Sequence, residues 1–171
     1  MVTRFWYKAV KTYFSTQSMP NGETVKDSSG TDRQISYADS STISVLFPAR
    51  TPSYYTGTNV AYFGIVLGTG TTPATVDDYW LEHIIKSGLN VQITNMSQHG
   101  IYRLILTITN ESDSSITIGE IGAQVPAVCV GASKRAFMMD RTVLDTPVTI
   151  PSGGIGKIEY EIKINLPIDE A

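Results

Sequence analysis

At 171 residues, 42% of them hydrophobic and only 17% charged, the chain is long enough for one domain with a substantial core. A net charge of -3 and a pI near 5.3 exclude a binder whose affinity rests on neutralising phosphates, so no nucleic-acid partner is expected. Cys129 is the one cysteine, which excludes an intrachain disulfide. No run approaches the roughly 18 apolar residues that cross a bilayer, so no membrane span is expected.

Ser and Thr make up about a fifth of the chain. Together with Val, Ile and Tyr, threonine suits a pleated, half-buried surface, and the composition leans towards strands. The opening, Met-Val-Thr-Arg-Phe-Trp-Tyr-Lys, lacks the apolar core of a signal peptide, and the chain reads as one made in the cytoplasm. Phe5, Trp6, Tyr7, Tyr13 and Phe14 crowd the first fourteen positions beside Arg4, Lys8 and Lys11. Two readings stand: a first strand of the domain, or an arm whose aromatic residues anchor it to a neighbouring subunit.

Residues 17–34 are polar and rich in breakers, with turn signals at Asn21-Gly22 and Ser29-Gly30. They read as an exposed hairpin or as a linker, which divides the chain into an arm with its linker or hairpin (1–34) and a main domain (35–171). Strands are expected at 43–47 and 59–67. Between them, Pro48 and Pro52 mark an irregular loop that carries Tyr54 and Tyr55, with Tyr62 just beyond it.

Thr75-Val-Asp-Asp78 fits a capping box and places Asp77 and Asp78 where a helix dipole favours negative charge. Val76, Trp80 and Ile84 recur every fourth residue, Leu81 and Ile85 lie alongside, and Gly88 supplies a stop. The pattern predicts a helix of about three turns.

Strands follow at 89–94, 100–109, 115–124, 127–130, 135–143 and 148–150, and Pro151-Ser-Gly-Gly154 turns the chain into a last strand over 155–166. In that strand Ile158, Tyr160, Ile162, Ile164 and Leu166 alternate with Lys157, Glu159, Glu161, Lys163 and Asn165. A period of two over this length sets one face on a core. Turn signals every 8 to 12 residues and a lone helix predict an all-β, antiparallel, jelly-roll-like sandwich with an extended N-terminal arm.

No residue pattern points to catalysis. Gly64-Ile-Val-Leu-Gly-Thr-Gly70 lacks the third glycine of a dinucleotide fingerprint and the Gly-Lys-Ser/Thr of a P-loop, and a tight connection explains it better. His83 and His99 are far apart and share one cysteine between them, so neither a metal nor any other cofactor is expected. Capping accounts for the Asp77 and Asp78 carboxylates without a substrate. Glu120 and Arg141 both lie in strand-like text, where they face water or pair across strands in a structural role. Cys129, in Pro-Ala-Val-Cys-Val-Gly, reads as a buried strand residue.

Three segments carry a resemblance. They are Phe63-Gly-Ile-Val-Leu-Gly-Thr-Gly-Thr-Thr-Pro-Ala-Thr-Val-Asp-Asp-Tyr-Trp-Leu-Glu82, the hairpin Thr107-Ile-Thr-Asn-Glu-Ser-Asp-Ser-Ser-Ile-Thr-Ile-Gly-Glu-Ile-Gly122, and Asp140-Arg-Thr-Val-Leu-Asp-Thr-Pro-Val-Thr-Ile-Pro-Ser-Gly-Gly154. Together they resemble small structural proteins of tailed bacteriophages over roughly residues 60–166, and they leave the aromatic arm outside the match. The resemblance implies a non-enzymatic virion component, docked in several copies onto a tail or neck as an adaptor or fibre attachment. Its partners would be other virion proteins and copies of itself. A head decoration protein is the alternative within that class. From a different class comes a carbohydrate- or receptor-binding module, in which Tyr54, Tyr55 and Tyr62 stack on a host-surface glycan.

Overall fold

The computed structural model describes residues 1–5, 7–8, 23–36, 53–55, 61–85, 88–98 and 101–163. Nine strands follow one another: β1 (Val25–Lys26), β2 (Asp32–Arg33), β3 (Ser53–Tyr55), β4 (Ala61–Gly68), β5 (Leu89–Gln98), β6 (Ile101–Asn110), β7 (Ile116–Cys129), β8 (Ala132–Ile150) and β9 (Ile155–Lys163). They form a hairpin β1-β2, a four-stranded sheet β3-β4-β7-β8 and a three-stranded sheet β5-β6-β9, with every pairing antiparallel. The chain is therefore all-β.

Alternation sets which side chains go inward. In β6, Leu104, Leu106 and Ile108 are buried while Arg103, Ile105 and Thr107 are half-buried on the other face. In β9, Ile158 and Tyr160 turn inward and Lys157 and Glu159 outward, as the period of two requires. The expected continuation over 164–166 lies outside the described residues, as does the strand expected at 43–47. Inward residues of both larger sheets share a single cluster: Ile65 and Leu67 of β4, Ile121 and Val125 of β7, Phe137 and Met139 of β8, Leu106 of β6 and Tyr160 of β9.

Two expected strand breaks are absent. The chain passes through Pro126, which faces Ala136, and β7 absorbs the irregularity as register shifts between Ala123 and Gln124 and between Ala127 and Cys129. β8 likewise runs on to Ile150, and a further shift between Ile118 and Glu120 leaves 144–147 without partners in β7. Asn110 then locks two turns together. Its side-chain amide donates to the Ser114 and Ile150 carbonyls at 2.8 and 2.9 Å and accepts from Ser112 N at 2.9 Å, so the turn after β6 is tied to the turn before β9.

The predicted helix does not form over the described residues 75–85. Half of the expected capping box is made: the Asp78 carboxylate accepts from Thr75 N at 2.9 Å and from Thr75 Oγ1 at 2.8 Å, while Asp78 N reaches the Thr75 carbonyl, not its hydroxyl, at 3.3 Å. Propagation stops there, because the next amides are captured by the sheet. Glu82 N and His83 N donate to the Glu120 carboxylate at 3.2 and 2.9 Å instead of to carbonyls four residues back. The chain then returns along the end of β4, with Ile85 N on Leu67 O and Thr69 N on His83 O, both at 2.8 Å. Leu81, Val66 and Met138 bury together beneath this loop.

Candidate functional site: a buried charge network under the 69–85 loop

Glu120 projects from β7 and is fully buried, and Arg141 from β8 is 3% exposed. Arg141 Nε donates to Glu120 Oε2 at 2.8 Å, so the two do pair across the strands. The remaining guanidinium nitrogens reach outward: Nη1 to Asp78 Oδ2 at 2.8 Å and Nη2 to the Thr72 carbonyl at 3.1 Å. Besides Arg141, Glu120 accepts from Gly70 N at 3.1 Å and from the two loop amides already named. Every polar edge of the pair is thus satisfied, which a buried ion pair requires if it is not to cost more than it returns.

The glycines that resembled a phosphate loop serve this arrangement. A Cβ on Gly68 would lie 2.4 Å from Glu120 Oε1, and one on Gly70 would lie 2.6 Å from the same oxygen. On Gly119 it would meet the Gly70 carbonyl at 2.7 Å. Gly64-Ile-Val-Leu-Gly-Thr-Gly70 and Ile118-Gly-Glu-Ile-Gly122 are two halves of one close approach between loop backbone and carboxylate. Glu120, expected to face water or to pair with Arg141 across strands, organises them, and the flanking glycines were the signal that it also holds the loop.

Burial alone would raise the Asp78 carboxyl, but the bonds from Arg141 and from Thr75 outweigh it and hold Asp78 below the ordinary carboxylate range. At the loop's edge the Glu82 carboxylate accepts from Thr72 N at 3.0 Å, Thr72 Oγ1 at 2.8 Å and Thr71 N at 3.0 Å, which lowers it too. Beside the network, Asp140 (4% exposed) accepts from the Tyr160 hydroxyl of β9 in a short bond that joins the two larger sheets. Burial first, and then the Asp140 charge, push the Tyr160 phenol well above its usual value. Among the described residues, no group of three His, Cys, Asp or Glu side chains is placed to hold a metal ion.

The first residues lie on this same sheet. Val2 bridges to Asp140, Thr3 N donates to Met139 O at 3.0 Å, and Arg141 N donates to Met1 O at 3.1 Å. After one helical turn, with Tyr7 N on Thr3 O at 3.4 Å, the chain leaves the described residues. Phe5, expected as an anchor for a neighbour, is instead 5% exposed and stacked on Phe137 with centroids 4.5 Å apart. The reason is that Thr3 fixes the backbone against β8, and this delivers the Phe5 ring to the core. Tyr7 is 69% exposed. Trp6, Tyr13 and Phe14 lie outside the described residues.

The β1-β2 hairpin also packs on β8, through Ser28 N to the Ala136 carbonyl at 2.8 Å. Phe5, Val25 and Ile35 join the one large cluster, which therefore spans the boundary expected at residue 34. The loop expected around Tyr54 holds the short strand β3, whose backbone sets Tyr54 opposite Tyr62 and Tyr55 opposite Ala61. The side chains of these three tyrosines are outside the described residues. His83 is exposed, and its backbone, not its ring, does the work in the network. His99 is outside the described residues. Cys129 is 3% exposed, and burial pushes its thiol up to about 11, which makes it a poor nucleophile.

The class defined by fold and site is an antiparallel all-β protein whose longest described loop is clamped by buried ions. In comparison with known proteins, no family model, no curated protein and no solved structure matches this chain.

Proposed function

We propose that the chain is a non-enzymatic virion structural protein of a tailed bacteriophage, docking in several copies onto a tail or neck. The observation that carries the reading is the use made of its buried charge. Glu120, Arg141 and Asp78 are saturated by each other and by backbone, so they fix a surface loop and leave no group free to transfer a proton or attack a substrate. The resemblance of residues 63–82, 107–122 and 140–154 to phage structural proteins supports the same reading, since these segments are the loop, the glycine cradle and the β8 arm of that clamp. We further propose that the two larger sheets stack as a sandwich, which the cluster drawn from both supports. Partners would be other virion proteins and further copies, met during assembly in the host cytoplasm.

Rigid, pre-formed surfaces suit permanent docking, because little ordering is left to oppose association. In this reading exposed Tyr7, with Trp6, Tyr13 and Phe14, contacts the neighbouring subunit. Epitope-tagged full-length chain should appear at one regular position on purified particles by immuno-electron microscopy, and Tyr7→Ala should weaken that labelling without lowering the melting temperature. Tagged protein confined to the particle-free fraction would sink the reading.

A further inference from the structure

An open cleft of about 430 Å³ lies between the helical turn at residues 4–8, the β1-β2 hairpin and residues 76–79. That volume is within the roughly 300–1,000 Å³ of small-ligand sites. We propose that this cleft binds a neutral saccharide, an inference that goes beyond the docking role and does not depend on it.

Charge balance selects the ligand class. Arg4, Lys8 and Lys26 face Asp32, Asp77 and Asp78 around the cleft. Arg141 offsets Asp78 from behind at 2.8 Å and Glu23 offsets Lys8 at 3.7 Å, which leaves two cations against two carboxylates. An anion would meet the carboxylates and a cation would meet the ammonium groups, so neither gains from entering. A neutral molecule dense in hydroxyl groups uses both signs, because each hydroxyl donates one hydrogen bond and accepts others.

Four of the charges are already set as two adjacent donor and acceptor pairs. Arg4 Nε lies 2.7 Å from Asp77 Oδ1, and Lys26 Nζ lies 3.7 Å from Asp32 Oδ2. Their side chains are 56%, 67%, 47% and 61% exposed, so all four keep capacity for further bonds. A vicinal diol matches such a pair: one hydroxyl donates to the carboxylate and its neighbour accepts from the cation. The Lys26 pair is too long for a direct hydrogen bond and leaves room for the diol to bridge it.

The apolar side of a sugar ring also has a counterpart. Tyr79 lines the cleft, is 40% exposed, and its ring lies 3.2 Å from where a Gly30 Cβ would stand, which packs it across from the 76–79 loop onto the hairpin. Phe5 and Val25, both 5% exposed, join Tyr79 in the lining. The walls are pre-formed, since Arg4 N donates to Val76 O at 2.6 Å and Asp78 is held from behind by Arg141.

Saturation-transfer NMR on the full-length chain, with a panel of neutral mono- and disaccharides and one acidic sugar, tests the assignment. Transfer to at least one neutral sugar is expected, in preference to the acidic one. Tyr79→Ala and Lys26→Ala should each weaken it by about tenfold or more, near 1.4 kcal/mol, while the melting temperature shows that the Lys26→Ala protein remains folded. No transfer to any neutral sugar overturns the proposal. So does binding that both substitutions leave unchanged, preference for the acidic sugar, or displacement of the sugar by an extended peptide that binds more tightly.

Discussion

Replacing Arg141 with Met keeps much of its aliphatic bulk but leaves the Glu120 carboxylate buried without its counter-charge and takes from Asp78 a hydrogen bond. Removing one member of a buried pair costs about 3–5 kcal/mol, because the surviving charge cannot be rehydrated. Arg141→Met should lower unfolding stability by that amount, read from the urea midpoint. A loss below about 1 kcal/mol, the scale of an exposed pair, would show that the network is solvated. Gln124 should behave in the opposite sense. It is fully buried, and among the described residues neither its amide nitrogen nor its amide oxygen has a hydrogen-bond partner. Gln124→Met keeps the length and deletes both polar atoms, so it should stabilise by about 1–3 kcal/mol; a destabilised variant would mean that a bound water satisfies the amide.

At the scale of elements, the 69–85 loop shows where local sequence and tertiary context part. The Asp78 carboxylate accepts from Thr75 N as a capping box requires, yet no helix follows over 75–85, because Glu120, 37 residues or more away in sequence, takes the amides of Glu82 and His83. A period of four in Val76, Trp80 and Ile84 carries no information about that competition. The strands were legible because alternation is a local consequence of the pleat, as in Leu104, Leu106 and Ile108. The clamp was only half legible: its glycines and its charged pair could be seen in the sequence, but not that they belong to one site. Phe5 was open to two readings for a related reason, since an aromatic residue near a terminus looks the same whether it meets Phe137 or a neighbour. Gly119→Ala tests the clamp as a unit. The new methyl would press on the Gly70 carbonyl at 2.7 Å and the Thr69 carbonyl at 3.0 Å, both backbone atoms that cannot rotate away. A cost of about 1–3 kcal/mol is expected, with faster amide exchange at Gly70, Glu82 and His83. Unchanged exchange there would separate the glycine from the loop.

For the whole molecule, the charges that join its parts set a window of pH in which it holds together. Asp27 fastens the β1-β2 hairpin, accepting from Ser29 N at 2.9 Å, Thr31 N at 3.0 Å and Arg33 Nε at 2.9 Å, and Asp78 fastens the loop. Burial would raise both carboxyls, but the bonds they accept hold them below the ordinary value. A carboxyl depressed in the folded state adds stability that is complete above its unfolded value, near ~3.9, and is lost as the pH falls through the folded value. Tyr160, which joins β9 to Asp140 of β8, has its phenol raised, so its contribution is complete below its unfolded value, near ~10, and is lost as the pH rises beyond it. The buried Cys129 thiol, raised to about 11, likewise loses its contribution as the pH rises beyond its unfolded value, about 8.5. The melting temperature should therefore be flat between the carboxyl and thiol limits and fall on either side, with the hairpin and loop releasing in acid and the junction between the sheets adding to the loss in base. Tyr160→Phe separates the two limbs. It removes the hydroxyl bond and lowers the plateau, but it should leave the acid limb's position unchanged and make the alkaline one shallower, leaving the part that belongs to Cys129. An alkaline limb as steep in Tyr160→Phe as in the parent would assign the loss to other groups and leave Asp140 and Tyr160 as a packing contact alone.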